Sequence, residues 1–286
     1  LDKVSKIFYD PGLTIYFANK HEKEAILRPL FSLHGVNCEA IAVDTDKFGT
    51  FSREVARTGG VRETLRKKIL AATDLLPKDR LFLASEGSFI PHPTIGFIPT
   101  DLESLLLYDR TLDIEVYAEF LCLKPVHALR VFGPHDDIRK FLQEIQFPEH
   151  GVIVHPEHSL SPMFKGLHSE LGVVQAMHDS LKASPTAKVV IETDLRACHN
   201  PTRRQAIFKA GQNLIVKLQS LCPSCRLPGF AISKGIPGLK CQGCGGETTE
   251  AKEVLLNCVK CSYSESRPRP DGKKSVDPVD CEYCNP

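Results

Sequence analysis

Four Cys-x-x-Cys pairs fall in the last quarter of this 286-residue sequence: Cys222/Cys225, Cys241/Cys244, Cys258/Cys261 and Cys281/Cys284. No other feature restricts the fold so tightly. Two residues between cysteines let one tight turn aim both sulfurs at a single ion, and a second such turn completes a tetrahedron. Fifteen residues separate the first pair from the second and nineteen the third from the fourth, which fits a zinc-ribbon pattern. Four thiolates with no open position make a closed, structural site, so two structural zinc ions are expected. Sequential sharing, first pair with second and third with fourth, is the expectation. A nested arrangement and a crossed one stay open. A tail of this length with few large apolar side chains has little core of its own, and metal supplies its folding energy.

The remaining cysteines, Cys38, Cys122 and Cys198, are scattered and odd in number, which does not suit a secreted disulfide scaffold. A reducing, intracellular and cytoplasmic setting is expected. Apolar residues at 42% and charged residues at 25% are ordinary globular values. No apolar run reaches the roughly 20 residues that cross a bilayer, so no membrane partner is expected. The sequence begins at Leu1 and not at Met, which leaves room for a removed targeting segment. The net charge of +1 gives no whole-surface attraction to nucleic acid. In the tail, nine Lys/Arg face eight Asp/Glu, and eight thiolates around two Zn²⁺ bring the balance to about −3. Protein contact through the ribbons is therefore favoured over phosphate-backbone contact, despite a local patch at Arg267, Arg269, Lys273 and Lys274.

Before the tail, strand-like and helix-like runs alternate. Strands are read at 13–18, 39–45, 81–85 and 188–195, and helices at 60–76, 135–146 and from Asn200 to about Gln219. On the 60–76 helix, Val61, Leu65, Ile69, Ala72 and Leu76 form one stripe, while Arg62, Arg66, Lys67 and Lys68 are read elsewhere on the helix. Three runs, "SLLLYDR", "DIEVYAEFL" and "HALRVF", have short links that favour antiparallel neighbours. This order predicts a single α/β domain, a three-layer, mixed-sheet body over 1–221, followed by a zinc-ribbon domain with two zinc sites over 222–286.

"VVIETDLRACHNPTRRQ", residues 189–205, is the first candidate site. Glu192 and Asp194 sit at a strand end, where α/β proteins bind ligands. Asn200 reads as a helix cap and Pro201 as the first helical residue, with Arg196, Arg203 and Arg204 close by for a phosphate. Carboxylates beside such a helix start suit Mg²⁺ and a phosphorylated ligand, although an arginine there also simply pairs with an acid such as Asp194. "ASEGSFIPHP" (84–93) is read as a strand end running into a Gly/Pro loop that presents Glu86, Ser88 and His92, either for chemistry or as a stiff turn. Asp44 and Asp46 form a third candidate; Lys20, His21 and Lys23 open the first helix, either to meet phosphate or as a solvated charged face.

"ASEGSFIPHP", "FPEHGVIV", "ETDLRACHNPTRRQ" and the CxxC tail together resemble a bacterial and fungal family, domain of unknown function 6671, over nearly the whole chain. That resemblance carries no catalytic residue over. "FANKHEKEAI" and "RETLRKKILAA…LFLASEG" are similar in order to the inosine/xanthosine triphosphate pyrophosphatase fold, which implies a nucleotide substrate. The Asn19-to-Lys23 spacing departs from that family's motif by one residue, and its acid-acid-Ser-Gly signature is missing. Two functions follow. One is a metal-assisted hydrolase of a phosphorylated small molecule or nucleotide, with Glu86, His92, Glu192 and Asp194 as catalytic candidates. The other is a non-enzymatic adaptor that binds protein through its ribbons.

Overall fold

The computed structural model describes residues 12–19, 22–49, 59–92 and 95–286. Lys20, His21 and Pro93 lie outside the described residues, as does the side chain of Asp46. In chain order the first elements are β1 (Thr14–Asn19), α1 (Glu24–Ser32), β2 (Asn37–Ala42), α2 (Val61–Leu75), β3 (Leu81–Pro91), β4 (Pro99–Asp109) and β5 (Ile114–Cys122). They are followed by β6 (Leu129–Phe132), α3 (Arg139–Glu144), β7 (Val152–Pro156), β8 (Phe164–Leu167), α4 (Glu170–Ala183), β9 (Val189–Thr193) and α5 (Pro201–Gln219). β10 (Ala231–Pro237), β11 (Ala251–Asn257) and β12 (Ser264–Pro268) complete the order.

The expected mixed sheet is present, in the order β2-β1-β3-β4-β5. β1 pairs in parallel with β2 and β3, and β3 pairs antiparallel with β4. α2 packs Leu65, Ile69 and Ala72 on the sheet face that carries Phe82, Ala84 and Leu106. Against the opposite helix layer, Gly211 of α5 comes so close to α1 that a Cβ there would lie 2.5 Å from Leu27 and 2.8 Å from Leu30. Ile207, Ala210 and Leu214 of α5 are fully buried, as their helical spacing requires.

The structure adds a feature and corrects one expectation. Beside the mixed sheet stands a second, four-stranded sheet of order β6-β9-β7-β8, antiparallel throughout. Its core joins Phe132, Val152, Val154, Val189 and Ile191 to Phe141, Leu142 and Val173 from α3 and α4. And "EGSFIP" is not a loop. β3 runs on to Pro91 because its partner, β4, begins at Pro99 and offers a register partner to every residue from Leu81 to Pro91.

The chain divides into two compact units. One holds Tyr117–Leu214 with the described residues up to Asp113, and the other Ile215–Pro286 with Ile114–Val116. No helix among the described residues is long and apolar enough to cross a membrane.

Phe82 is fully buried between α2 and the sheet. Phe82→Ala is expected to destabilise the protein by about 3–5 kcal/mol, read from the shift of the urea midpoint.

Candidate functional site

In the mixed sheet the chain leaves β1 for β2 on one side and returns through α2 to β3 on the other. The carboxyl ends of β1 and β3 therefore flank a topological switch point, the place where open α/β sheets hold ligands. Three cations and three carboxylates are buried around these strand ends: Lys23, Lys68, Arg203, Glu86, Asp101 and Glu103.

Each reaches its place for a local reason. Asn19, the last residue of β1, accepts from the Lys23 amide at 3.3 Å and donates to Glu24 at 3.0 Å, which fixes the entry into α1. Lys23 lies one turn before Ile26 and Leu27, so it follows the buried face and its Nζ meets Ser85 Oγ at 3.0 Å. Lys68, off the apolar stripe, is buried all the same. It sits one turn after Leu65 and one before Ala72, and its Nζ donates to the Ser85 carbonyl at 3.0 Å and to Glu86. Asp101 and Glu103 alternate with Leu105 along β4 on one face, opposite Phe89, Gly87 and Ser85. Arg203 reaches the same face from the first turn of α5, with Nε 2.5 Å from Glu103 and Nη1 2.5 Å from the Leu195 carbonyl.

Gly87 makes the last contact feasible. A Cβ on it would lie 2.5 Å from Arg203 Nη2 and 2.6 Å from Glu103 Oε1, so only glycine lets the ion pair rest on the sheet. Burial, then the charges of Arg203 and Lys68, draw the Lys23 ammonium down to about 7. Burial, then Glu103, push the Asp101 carboxyl up to about 7. Burial disfavours the Arg203 cation, but Glu103 and Asp101 outweigh it and hold the guanidinium protonated. Beside this cluster a cleft of about 580 Å³ is lined by Asn19, Glu22, Glu24, Ala40, Ala42, Val43 and Asp44.

Of the described residues singled out from sequence, Glu86, Arg203, Lys23 and Asp44 belong to the cluster or its cleft, and Glu192, Asp194, Arg196 and His92 have partners elsewhere. Asp194 is fully buried with both oxygens engaged, Oδ1 by Arg196 Nε at 3.0 Å and Oδ2 by the Gly166 amide at 3.0 Å. Burial opposes ionisation of Asp194, yet Arg196 holds its carboxyl below the usual range. Arg196 is thus committed to Asp194. Glu192 faces His155 at 3.7 Å and raises the affinity of that imidazole for a proton. His92 accepts from the Ile95 amide at 3.0 Å in the turn after β3. Asn200 caps α5 by accepting from the Arg203 amide at 2.9 Å. Ser88, on the Glu86 side of β3, is buried.

In the C-terminal unit the cysteines form two groups of four, each with ligand atoms within 4.8 Å of one another: Cys222, Cys225, Cys258 and Cys261, and Cys241, Cys244, Cys281 and Cys284. The pairing is crossed, and the sequential expectation is corrected. The reason is the hairpin. β10 and β11 are antiparallel with Ala231 opposite Asn257, which sets the first knuckle beside the third at one end. A bridge between Cys241 and Val276 brings the fourth knuckle to the second. Sulfur separations are 3.7 Å (Cys222–Cys261), 3.5 Å (Cys225–Cys258) and 3.8 Å (Cys241–Cys284 and Cys244–Cys281). A tetrahedron with metal–sulfur bonds of ~2.3 Å has edges of about 3.8 Å, whereas a disulfide needs about 2.0 Å. The donor sets fit a tetrahedral metal. Backbone amides point at the sulfurs, Gly243 at Cys241 at 3.3 Å and Lys260 at Cys258 at 3.3 Å, and favour thiolate. Arg226 (φ 62°) and Gly245 (φ 71°) turn the chain just after the first two knuckles.

Fold and sites together define a class: an α/β protein with a charged switch-point crevice and a cross-braced pair of four-cysteine sites that could hold metal. The chain belongs to the family described as a domain of unknown function (DUF6671), whose model matches residues 68–286. Among solved structures it is similar to protein VC0702 from Vibrio cholerae, at 12% identity and a TM-score of 0.33, covering 71% of this chain and 93% of that one. No curated protein matches it.

Two outcomes test this geometry. Cys225→Ser with Cys258→Ser disables one site and should leave about one metal equivalent by elemental analysis. Cys225→Ser with Cys244→Ser disables both, and sequential pairing would exchange the two results. Gly87→Ala should displace the Arg203–Glu103 pair and lower the melting temperature by more than ten degrees, against a few degrees or less for an exposed control such as Leu70→Ala.

Proposed function

We propose that the body hydrolyses a phosphorylated small molecule, a nucleotide among the candidates, and that the C-terminal unit is a structural module holding two zinc ions. One observation carries the hydrolase reading: Lys23, Lys68, Arg203 and Glu86 are buried together where β1 ends alongside the middle of β3. Keeping so many charges away from water costs several kcal/mol per ion unless partners or ligands compensate. Such a cost is common where a protein prepares a site for a charged reactant.

In this reading Lys23 and Lys68 hold phosphate oxygens beside the end of β1. Glu86, paired with Lys68, takes the proton of the attacking water. The neighbouring cleft receives the organic portion, against a floor of Ala40, Ala42 and Val43. A divalent cation, when bound, neutralises charge that develops on the phosphoryl oxygens. The family resemblance adds no residue to this assignment, and the order similarity to nucleotide pyrophosphatases supports a nucleotide substrate. In the module, zinc suits a donor set of four thiolates, and its closed tetrahedron leaves no place for substrate.

A panel of nucleotides and phosphorylated metabolites with Mg²⁺ or Mn²⁺ should show release of phosphate or pyrophosphate from at least one member. Glu86→Gln should reduce that rate by about 10²-fold or more while circular dichroism stays unchanged. A flat panel removes the hydrolase and leaves a non-enzymatic binding role, with the ribbons contacting protein.

A further inference from the structure

A bare phosphate entering the crevice would meet a neutral set of charges. Two of its three cations are already matched, Lys68 by Glu86 and Arg203 by Glu103, both in buried contacts. A further anion there needs a further positive charge. Among the described residues, the buried carboxylate oxygens without a hydrogen-bond donor are Asp101 Oδ1 and Glu103 Oε2. Both residues lie on one face of β4, two positions apart, and both are almost completely buried. A buried carboxylate oxygen without a donor is costly, and a cation is the partner that satisfies two of them at once.

We propose that Asp101 and Glu103 hold a divalent cation that enters with the phosphorylated substrate. The inference rests on the hydrolase reading for the identity of that substrate, but the cation site is defined by these two carboxylates alone. Hard oxygen ligands in this number suit Mg²⁺ or Mn²⁺, which are commonly bound by one or two carboxylates, with waters and substrate phosphates completing the shell. Arg203, bonded through Nε to Glu103 Oε1, fixes that carboxylate with Oε2 left for the ion. It therefore acts as a positioning residue. Asp44 lines the neighbouring cleft with Glu22 and Glu24 and is not a ligand in this assignment.

The test uses the full chain with both cysteine sites loaded with zinc, titrated with Mn²⁺ and inorganic pyrophosphate while the free ion is followed by electron paramagnetic resonance. One Mn²⁺ per chain is expected, with affinity reduced at least tenfold in Asp101→Asn and changed less than twofold in Asp44→Asn. Wild-type protein that takes up no Mn²⁺, or Asp101→Asn protein that binds it as tightly, overturns the assignment. Paramagnetic broadening of amide resonances in the wild type supplies a readout that does not depend on a variant folding: broadening centred on β4 supports the site, and broadening centred elsewhere overturns it. Mn²⁺ binding that depends on Asp101 alongside a flat substrate panel retains the cation site and removes the hydrolase. Hydrolysis with Mn²⁺ binding indifferent to Asp101 does the reverse.

Discussion

The antiparallel ladder between β3 and β4 organises the body. Its register from Leu81↔Asp109 to Pro91↔Pro99 places Gly87 opposite Glu103 and Ser85 opposite Leu105. A slip of one residue would send Asp101 and Glu103 to the opposite face and bring Leu102 and Ser104 to theirs. The same strand pairs in parallel with β1, so a single element joins the doubly wound half of the sheet to its antiparallel half. Buried charge at the switch point is tolerated because that ladder holds the pairs in one geometry. Breaking one partner of such a pair is commonly costlier than never having built it.

The C-terminal unit solves its stability problem differently. Its small core is Cys222, Phe230 and Leu256, with the Tyr263 ring tilted against Phe230 at 5.7 Å between centroids. All four cysteines of the first group belong to this cluster, Cys222 in the core and Cys225, Cys258 and Cys261 packed against it. Cohesion thus comes from sulfur geometry as much as from apolar contact, in keeping with how small metal-binding units reach a folded state.

Much of this was legible in the residues. The amphipathic stripe of α2, the knuckles and the helix at Pro201 all follow from periodicity and spacing. Lys68 and Lys23 were less visible, since a lysine is read as solvated by default. Their helical offsets from Leu65 and from Leu27 nonetheless carried the signal. Asp101 and Glu103 were missed because the sequence reading began that strand at Ser104; Pro91 and Pro99 suggested a loop, yet both lie at strand ends, where a missing amide does no harm. The crossed pairing of cysteines was beyond reach of local spacing. It depends on which ends of an antiparallel hairpin meet, a long-range property.

The crossing has a consequence for how the module comes into being. On a growing polypeptide the first complete set of four thiols that emerges is Cys222, Cys225, Cys241 and Cys244, and these belong to two different final sites. An ion captured at that stage would sit in a transient tetrad and would have to exchange partners once Cys258 and Cys261 appear. Maturation would then be a rearrangement and not a simple filling. Its pace is set by how readily thiolates trade places around a bound ion, a demand that two side-by-side ribbons would never face.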